Sequence, residues 1–365
     1  MEHVHRTDTK PIDVLRVRGG LAEHLRFFHT VDPAISRKMN ICGQAAKTRA
    51  QLRVVGIEPI GSSMRLYDIT TGTGDFIANG VVSHNCYARP SHAYLGLSPG
   101  LDFETRLFYK KNAGSLLEEE LSRRGYVCKP ITLGANTDPY QPVERRLGVT
   151  RSILEVLAGT RHPVSVITKS ALVLRDLDLL ADLARDGLAG VAISLTTLSA
   201  ETKRTLEPRA ASPQARLRAV RELNEAGVPT GIMVAPVIPA ITDHELEAIL
   251  EAAASAGARW AGYVLLRLPY EVKDLFREWL DAHFPERASH VMSLVRGMRA
   301  GRDNDPCFGS RMRGTGPLAE LLRKRFEVAC RRLGLSSGPR ETPLPTHLFR
   351  PPVPKTKGAQ LRLDI

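Results

Sequence analysis

Gly190-Val191-Ala192-Ile193-Ser194-Leu195 and Thr230-Gly231-Ile232-Met233-Val234-Ala235 decide the fold, together with the stretch that Ser212-Pro213 opens between them. The two apolar runs are short and bounded by turn residues, which reads as buried strand. Ser212 is an N-cap with proline at the first helical position. Leu217, Val220 and Leu223 share one helical face, and Gly227 ends the helix. A helix between two buried strands calls for parallel pairing through a right-handed crossover.

The rhythm continues outward. Val127–Leu133 and Val164–Thr168 read as strands before this unit, and Ala261–Leu266 after it. Thr242-Asp243-His244-Glu245 reads as a capping box that opens another helix, which Gly257 ends. The series predicts an α/β protein with a parallel barrel or partial barrel from about residue 127 onward. Residues 287–335 read as mainly helical, interrupted by a basic, Gly-rich loop from Pro306 to Pro317. The tail from Ser336 is rich in proline and poor in apolar residues, so it reads as extended or disordered. Near the N-terminus, Leu21, His24, Leu25 and Phe28 stand at helical spacing.

The chain has 365 residues, 43% of them hydrophobic and 25% charged, which suits a soluble globular protein. There is no apolar run long enough for a membrane span and no apolar signal core, so the expectation is a cytoplasmic protein without a membrane partner. Five scattered cysteines do not read as a disulfide framework. The net charge of +12 is uneven: Arg287–Ile365 holds 16 Lys/Arg against 6 Asp/Glu, and the rest holds 35 against 33. Such asymmetry suits a polyanionic partner, nucleic acid first among them. An Arg-rich, solvated helix surface accounts for the same count.

In parallel α/β barrels the chemistry gathers at the C-terminal ends of the strands. Those ends carry Gly134-Ala135-Asn136-Thr137-Asp138-Pro139-Tyr140-Gln141, then Thr168-Lys169-Ser170, then Ser194-Leu195-Thr196-Thr197 followed by Glu207-Pro208-Arg209, then Ala235-Pro236-Val237-Ile238-Pro239. Amides, hydroxyls, an ammonium and a guanidinium on one rim would hold a zwitterionic, ribose-bearing ligand. Singly, each has a plainer role: Lys169 as a snorkelling strand-end lysine, Ser194 and Thr196 as helix caps.

A second signal lies upstream, in Asp75-Phe76-Ile77-Ala78-Asn79-Gly80-Val81-Val82-Ser83-His84-Asn85-Cys86. Arg65–Thr70 and Phe76–Val82 alternate as strands around a Thr71–Asp75 turn. An asparagine side-chain amide can attack its own carbonyl, His84 is placed for proton transfer, and the Cys86 thiol is a natural acyl acceptor.

Two resemblances follow from these residues. Cys86-Tyr87-Ala88-Arg89-Pro90-Ser91-His92-Ala93-Tyr94-Leu95-Gly96-Leu97 resembles the last cysteine and continuation of a radical SAM motif, CxxxCxxCYARPxHxYLG, and Ala192–Gly231 resembles the fourth-strand segment of the same family. The likeness is to the spore-photolyase-like family, of actinobacterial type, and runs from Cys86 to near the C-terminus. It implies a (β/α)6 barrel, here partial and without its first strand, with a [4Fe–4S] cluster and S-adenosylmethionine as cofactors. It also implies a 5′-deoxyadenosyl radical as the reactive species and DNA as a substrate, in a lyase or repair reaction. By the same resemblance Cys86 is the third cluster ligand and Tyr87 packs near the cofactor. Asn136 and Thr137 approach the methionine amino end, Lys169 the carboxylate, and Ser194 and Thr196 the ribose or carboxylate; Arg209 supports the pocket. This sequence departs from the motif in having no CxxxC before Cys86.

Residues 65–86 are similar to the C-terminal splicing blocks of an intein, with Asp68, His84, Asn85 and Cys86 as the splicing residues and Gly74 where a histidine often stands. Residues 10–60 resemble the closing part of an intein endonuclease. The implied organisation is an endonuclease remnant over 1–62, an intein C-terminal β-hairpin over 63–85, the partial barrel over 86–286 and a basic region with an extended tail over 287–365. A missing N-terminal intein and extein half is then the expected partner. Two other readings stand beside this one: a stranded or trans-splicing precursor with no cluster chemistry of its own, and a barrel enzyme in which Cys86 is incidental. Gln360–Ile365 faintly resembles a sliding-clamp-binding peptide without its final aromatic.

Overall fold

A computed structural model of the protein describes residues 2–6, 12–16, 108–135, 137–270, 272–338 and 343–352. The chain divides into two compact units, Met1–Gly61 and Ser62–Ile365. In the first, β1 (Glu2–Arg6) pairs antiparallel with β2 (Ile12–Arg16). The helix expected around Leu21–Phe28 and the hairpin expected over 65–85 lie outside the described residues.

Among the described residues, the second unit is built on one parallel sheet of six strands in sequence order. These are β3 (Ile131–Leu133), β4 (Val164–Thr168), β5 (Ala189–Ser194), β6 (Thr230–Val237), β7 (Trp260–Leu265) and β8 (Ser336–Ser337). Strand–helix alternation covers the sheet with α1 (Ala113–Leu121), α2 (Glu144–Leu147), α3 (Val149–Gly159), α4 (Leu177–Arg185), α5 (Ala200–Leu206), α6 (Pro213–Glu225), α7 (Leu246–Ser255) and α10 (Pro317–Leu333). The main apolar core includes Val166, Val191, Ile193 and Ile232 from the strands and Leu154, Leu183, Leu223, Leu250 and Phe326 from the helices. A smaller core forms beside it, where α8 (Val272–His283) and α9 (Pro285–Gly297) bring Phe276, Leu280 and Val291 against Ile238 and Leu268.

The central unit follows its sequence closely. Ser212 Oγ accepts the Ala215 N–H, Pro213 is first in α6, and Gly227 stands at φ +80°. Gly231 is required by packing: a Cβ there would meet the Trp260 indole at 2.1 Å.

Three expectations are corrected, and a fourth, the extended or disordered tail, is narrowed to the first of its two forms. The first described strand of the sheet is Ile131–Leu133 rather than Val127–Leu133: Val127 is 71% exposed, and Pro130 has no N–H to give to a ladder. Thr242-Asp243-His244-Glu245 is not a capping box. It is partly a 3₁₀ turn in which the Thr242 hydroxyl accepts the Ile238 N–H and Glu245 turns towards β5. Among the described residues five strands become six, because Ser336–Ser337 pairs parallel with β7. The described part of the tail is not disordered, since Leu348 and Phe349 pack on the main core and the Arg350 N–H bonds to Thr160 O at 2.8 Å.

Candidate functional site

A parallel sheet brings the C-terminal ends of all its strands to one edge, and the buried polar groups of this edge converge on Glu207, in the connection between α5 and α6. Its side chain is 8% exposed. Three side chains from three elements hold it. Arg216 of α6 reaches Oε2 at 2.7 Å, Thr196 beyond β5 donates to Oε1 at 2.8 Å, and Lys169 beyond β4 pairs with Oε1. Burial alone would push this carboxyl up, but Lys169 and Arg216 outweigh it and hold the carboxyl at about 2. The group is therefore an anion between two cations, and the triad carries a net charge of +1.

Arg216 is 1% exposed and bonded at each nitrogen: besides NH2 to Glu207, Nε donates to Ala211 O at 3.0 Å and NH1 to Ser194 O at 2.9 Å. It thus ties the last residue of β5 to the start of α6. The single Thr196 hydroxyl proton is shared with Ala235 O at 2.9 Å, a carbonyl set at the register shift of β6 between Val234 and Val237. Glu245 closes the next position, accepting the Thr197 hydroxyl at 2.5 Å and the Leu198 N–H at 2.6 Å.

The β3 and β4 ends are joined by Asp138. Its Oδ1 accepts from Tyr140 N at 2.9 Å and from Thr168 Oγ1 at 2.6 Å, and its Oδ2 accepts from Lys169 N at 2.7 Å. The carboxylate therefore fixes the backbone from which the Lys169 ammonium departs. Gly134, at φ +92°, allows the chain to pass close to β4 at this point, with a would-be Cβ 1.9 Å from Ile167 O.

Of the residues expected at the site, Thr137, Lys169, Ser194 and Thr196 stand at the described strand ends, and Arg209 is exposed in the turn two residues beyond Glu207. Ser194 and Thr196 are both buried. Thr196 stands behind the rim with its hydroxyl committed to Glu207 and Ala235. Asp68, His84, Asn85, Cys86, Tyr87 and Asn136 lie outside the described residues. In the sequence Asp138 and Glu207 stand only as members of their runs, and Arg216 lies on a helix whose legible face is aliphatic. The overlooked signal for Arg216 is a cation beside Val220 and Leu223 on that same face. Among the described residues no group of three or more His, Cys, Asp or Glu side chains gathers as a metal site.

Residues 110–253 match the family model described as the Radical SAM superfamily. An uncharacterized protein of Mycobacterium tuberculosis is 34% identical over 273 residues, 74% of this chain and 76% of that protein. An uncharacterized protein of Methanocaldococcus jannaschii is 27% identical over 167 residues, 46% of this chain and 61% of that protein. Among solved structures, spore photoproduct lyase complexed with dinucleoside spore photoproduct is similar with a TM-score of 0.47 and 16% identity, over 71% of this chain and 73% of that one.

Proposed function

This chain belongs to the radical SAM superfamily, and from that premise we propose that residues 86–365 form the S-adenosylmethionine-binding part of a radical enzyme that acts on nucleic acid. The superfamily uses a [4Fe–4S] cluster and S-adenosylmethionine. When bound, they supply one-electron cleavage of the sulfonium C–S bond, giving methionine and a 5′-deoxyadenosyl radical.

The observation that carries the reading is the net +1 triad of Lys169, Glu207 and Arg216 at the C-terminal edge, within the stretch that matches the family. Arg216 is enclosed, but the Lys169 side chain remains 24% exposed. A carboxylate approaching the rim meets this ammonium and an excess of positive charge, which suits the methionine carboxylate. Glu207 keeps the ammonium in place and Thr196 keeps Glu207 in place. Ser194 is assigned to the ribose or carboxylate, Asn136 and Thr137 to the methionine amino end, Tyr87 to the cofactor's surroundings and Arg209 to the support of the pocket. Cys86 is assigned as the third cluster ligand, complete only with a CxxxC pair supplied by an upstream segment. The excess of basic residues after Arg287 supports a nucleic-acid substrate.

The test is anaerobic reconstitution with iron, sulfide and S-adenosylmethionine of the chain joined to a segment bearing the CxxxC pair. Cluster absorption lost in Cys86→Ala, and S-adenosylmethionine binding weakened in Lys169→Met with absorption retained, are expected. A joined protein with no cluster absorption overturns the reading.

Asp68 and His84-Asn85-Cys86 favour a second activity of the same chain, self-cleavage. The Asn85 side-chain amide nitrogen attacks the Asn85 carbonyl carbon. The Asn85–Cys86 peptide bond breaks, a C-terminal succinimide forms, and His84 delivers a proton to the departing Cys86 amine. Intact mass during incubation reads the cut. Loss of the cut in Asn85→Ala is expected, and an uncut chain, alone and with an N-terminal intein partner, removes this reading.

A further inference from the structure

The loop that ends at Pro317 carries a feature that the proposed cofactor site does not use. Phe308 is 81% exposed, although the segment around it is fixed on every side. At its start, Asp303 accepts from Arg277 of α8 at 2.7 Å and from Arg296 of α9 at 2.8 Å. Asp305 then accepts the Cys307 N–H at 2.9 Å and the Ser310 hydroxyl at 2.6 Å. The buried Arg299 donates to Arg311 O at 2.8 Å and to Leu266 O at 2.9 Å, and Leu265 N donates to Met312 O at 2.9 Å. These bonds seat the loop at the C-terminal end of β7, on the same sheet edge as Glu207 and Lys169.

The ring is also backed. The Arg311 guanidinium lies 5.0 Å from the Phe308 centroid, and Arg311 is itself buried. A cation set against a ring holds it at little entropic cost. An aromatic that stays open to water on so restrained a loop suits a planar, electron-poor partner. The flanking charge indicates which one. Arg302 and Arg313 are exposed on either side of Phe308 along the sequence of this loop, in a region with 16 basic against 6 acidic residues. A stacking surface between exposed cations matches a base with its neighbouring phosphates.

We infer that Phe308, braced by Arg311, is a stacking platform for an unpaired base of a nucleic-acid strand whose phosphates meet Arg302 and Arg313. The inference rests on the nucleic-acid reading above and names where the strand is gripped. Bases paired in a duplex are stacked on one another and do not offer a free face, so the platform selects single strands or flipped bases.

The full chain is titrated against a short single-stranded DNA containing 2-aminopurine and against the same strand in a duplex. The expected results are quenching of 2-aminopurine and preference for the single strand. Phe308→Ala abolishes the quenching and weakens single-strand binding roughly tenfold, with the salt dependence unchanged. Phe308→Tyr retains both properties and Phe308→Leu does not. Arg302→Gln with Arg313→Gln flattens the salt dependence and leaves the quenching at saturation. Phe308→Ala binding and quenching like the unsubstituted chain overturns the platform and leaves the nucleic-acid reading standing. An unsubstituted chain that binds neither strand nor duplex overturns both. Phe308 is exposed, so these variants fold, as a matched thermal transition verifies.

Discussion

Arg216 and Glu207 form an ion pair enclosed by the fold: NH2 stands 2.7 Å from Oε2, with side-chain exposures of 1% and 8%. A charge pair this deep stabilises only when each partner's remaining hydrogen-bonding capacity is filled. Here Ser194 O and Ala211 O meet the other two guanidinium nitrogens, and Thr196 and Lys169 complete the carboxylate. Arg216→Met leaves Glu207 with half its compensation, and a loss of about 3 kcal/mol in urea unfolding is expected.

The same pair sets an acid limit. Glu207 is held at about 2, below its ordinary 4.5, so the folded state binds fewer protons than the unfolded one. Its contribution is present above 4.5 and is lost as pH falls through 2. Urea midpoints of the unsubstituted chain and of Glu207→Gln are therefore expected to differ most above 4.5 and to converge on acidification. A gap independent of pH would assign the stabilisation to shape rather than charge.

The legibility of this molecule divides along the same line. Strands β4 to β7 were readable because each is a short apolar run between turn residues, and α6 because Ser212-Pro213 and Gly227 mark its ends. The polar interior was not. Arg216 lies on an amphipathic helix where a basic residue ordinarily faces water, and only the connection between α5 and α6 brings Glu207 beneath it. Glu245 had the spacing of a capping box and found better donors in Thr197 and Leu198, which are distant in sequence. Ser336–Ser337 has no apolar pattern and is a strand only because β7 presents a free edge.

Asp138 offers a test of the rim that leaves the core alone. Asp138→Asn keeps the shape but turns one acceptor into a donor facing the Thr168 hydroxyl or the Lys169 N–H. A loss of about 1–2 kcal/mol is expected, with faster hydrogen exchange at the Lys169 amide. Unchanged protection at that amide would mean that the β3–β4 crossing is held by other contacts.

Gly134→Ala acts at the same crossing through sterics. The new Cβ would fall 1.9 Å from Ile167 O, with the backbone at φ +92°. Neither the carbonyl nor the dihedral yields cheaply, so destabilisation by about 2–4 kcal/mol is expected in a thermal melt. Gly148→Ala, also at positive φ but with open space around it, is the comparison and loses less.

At the opposite end of the sheet, the tail is fastened by a neutral histidine. Pro163 O can only accept, so His162 Nδ1 donates to it at 3.0 Å and Nε2 accepts the Tyr126 hydroxyl at 2.9 Å. Phe349 packs against both rings, with centroids 5.3 and 5.4 Å away. Burial lowers the His162 pKa below its ordinary 6.5, against the smaller opposing effect of the Pro163 carbonyl. Protonation therefore favours the unfolded state: the contribution is whole above 6.5 and is lost as pH falls through the lower folded value. Protonation also turns Nε2 into a donor facing the Tyr126 hydroxyl. Limited proteolysis of the tail is expected to accelerate between about pH 7.5 and pH 5.5. Phe349→Ala is expected to expose the tail at both values, because it removes the apolar anchor whatever the charge on His162. A tail equally protected at both values in the unsubstituted chain would show that the aromatic packing suffices without the Tyr126–His162 bond.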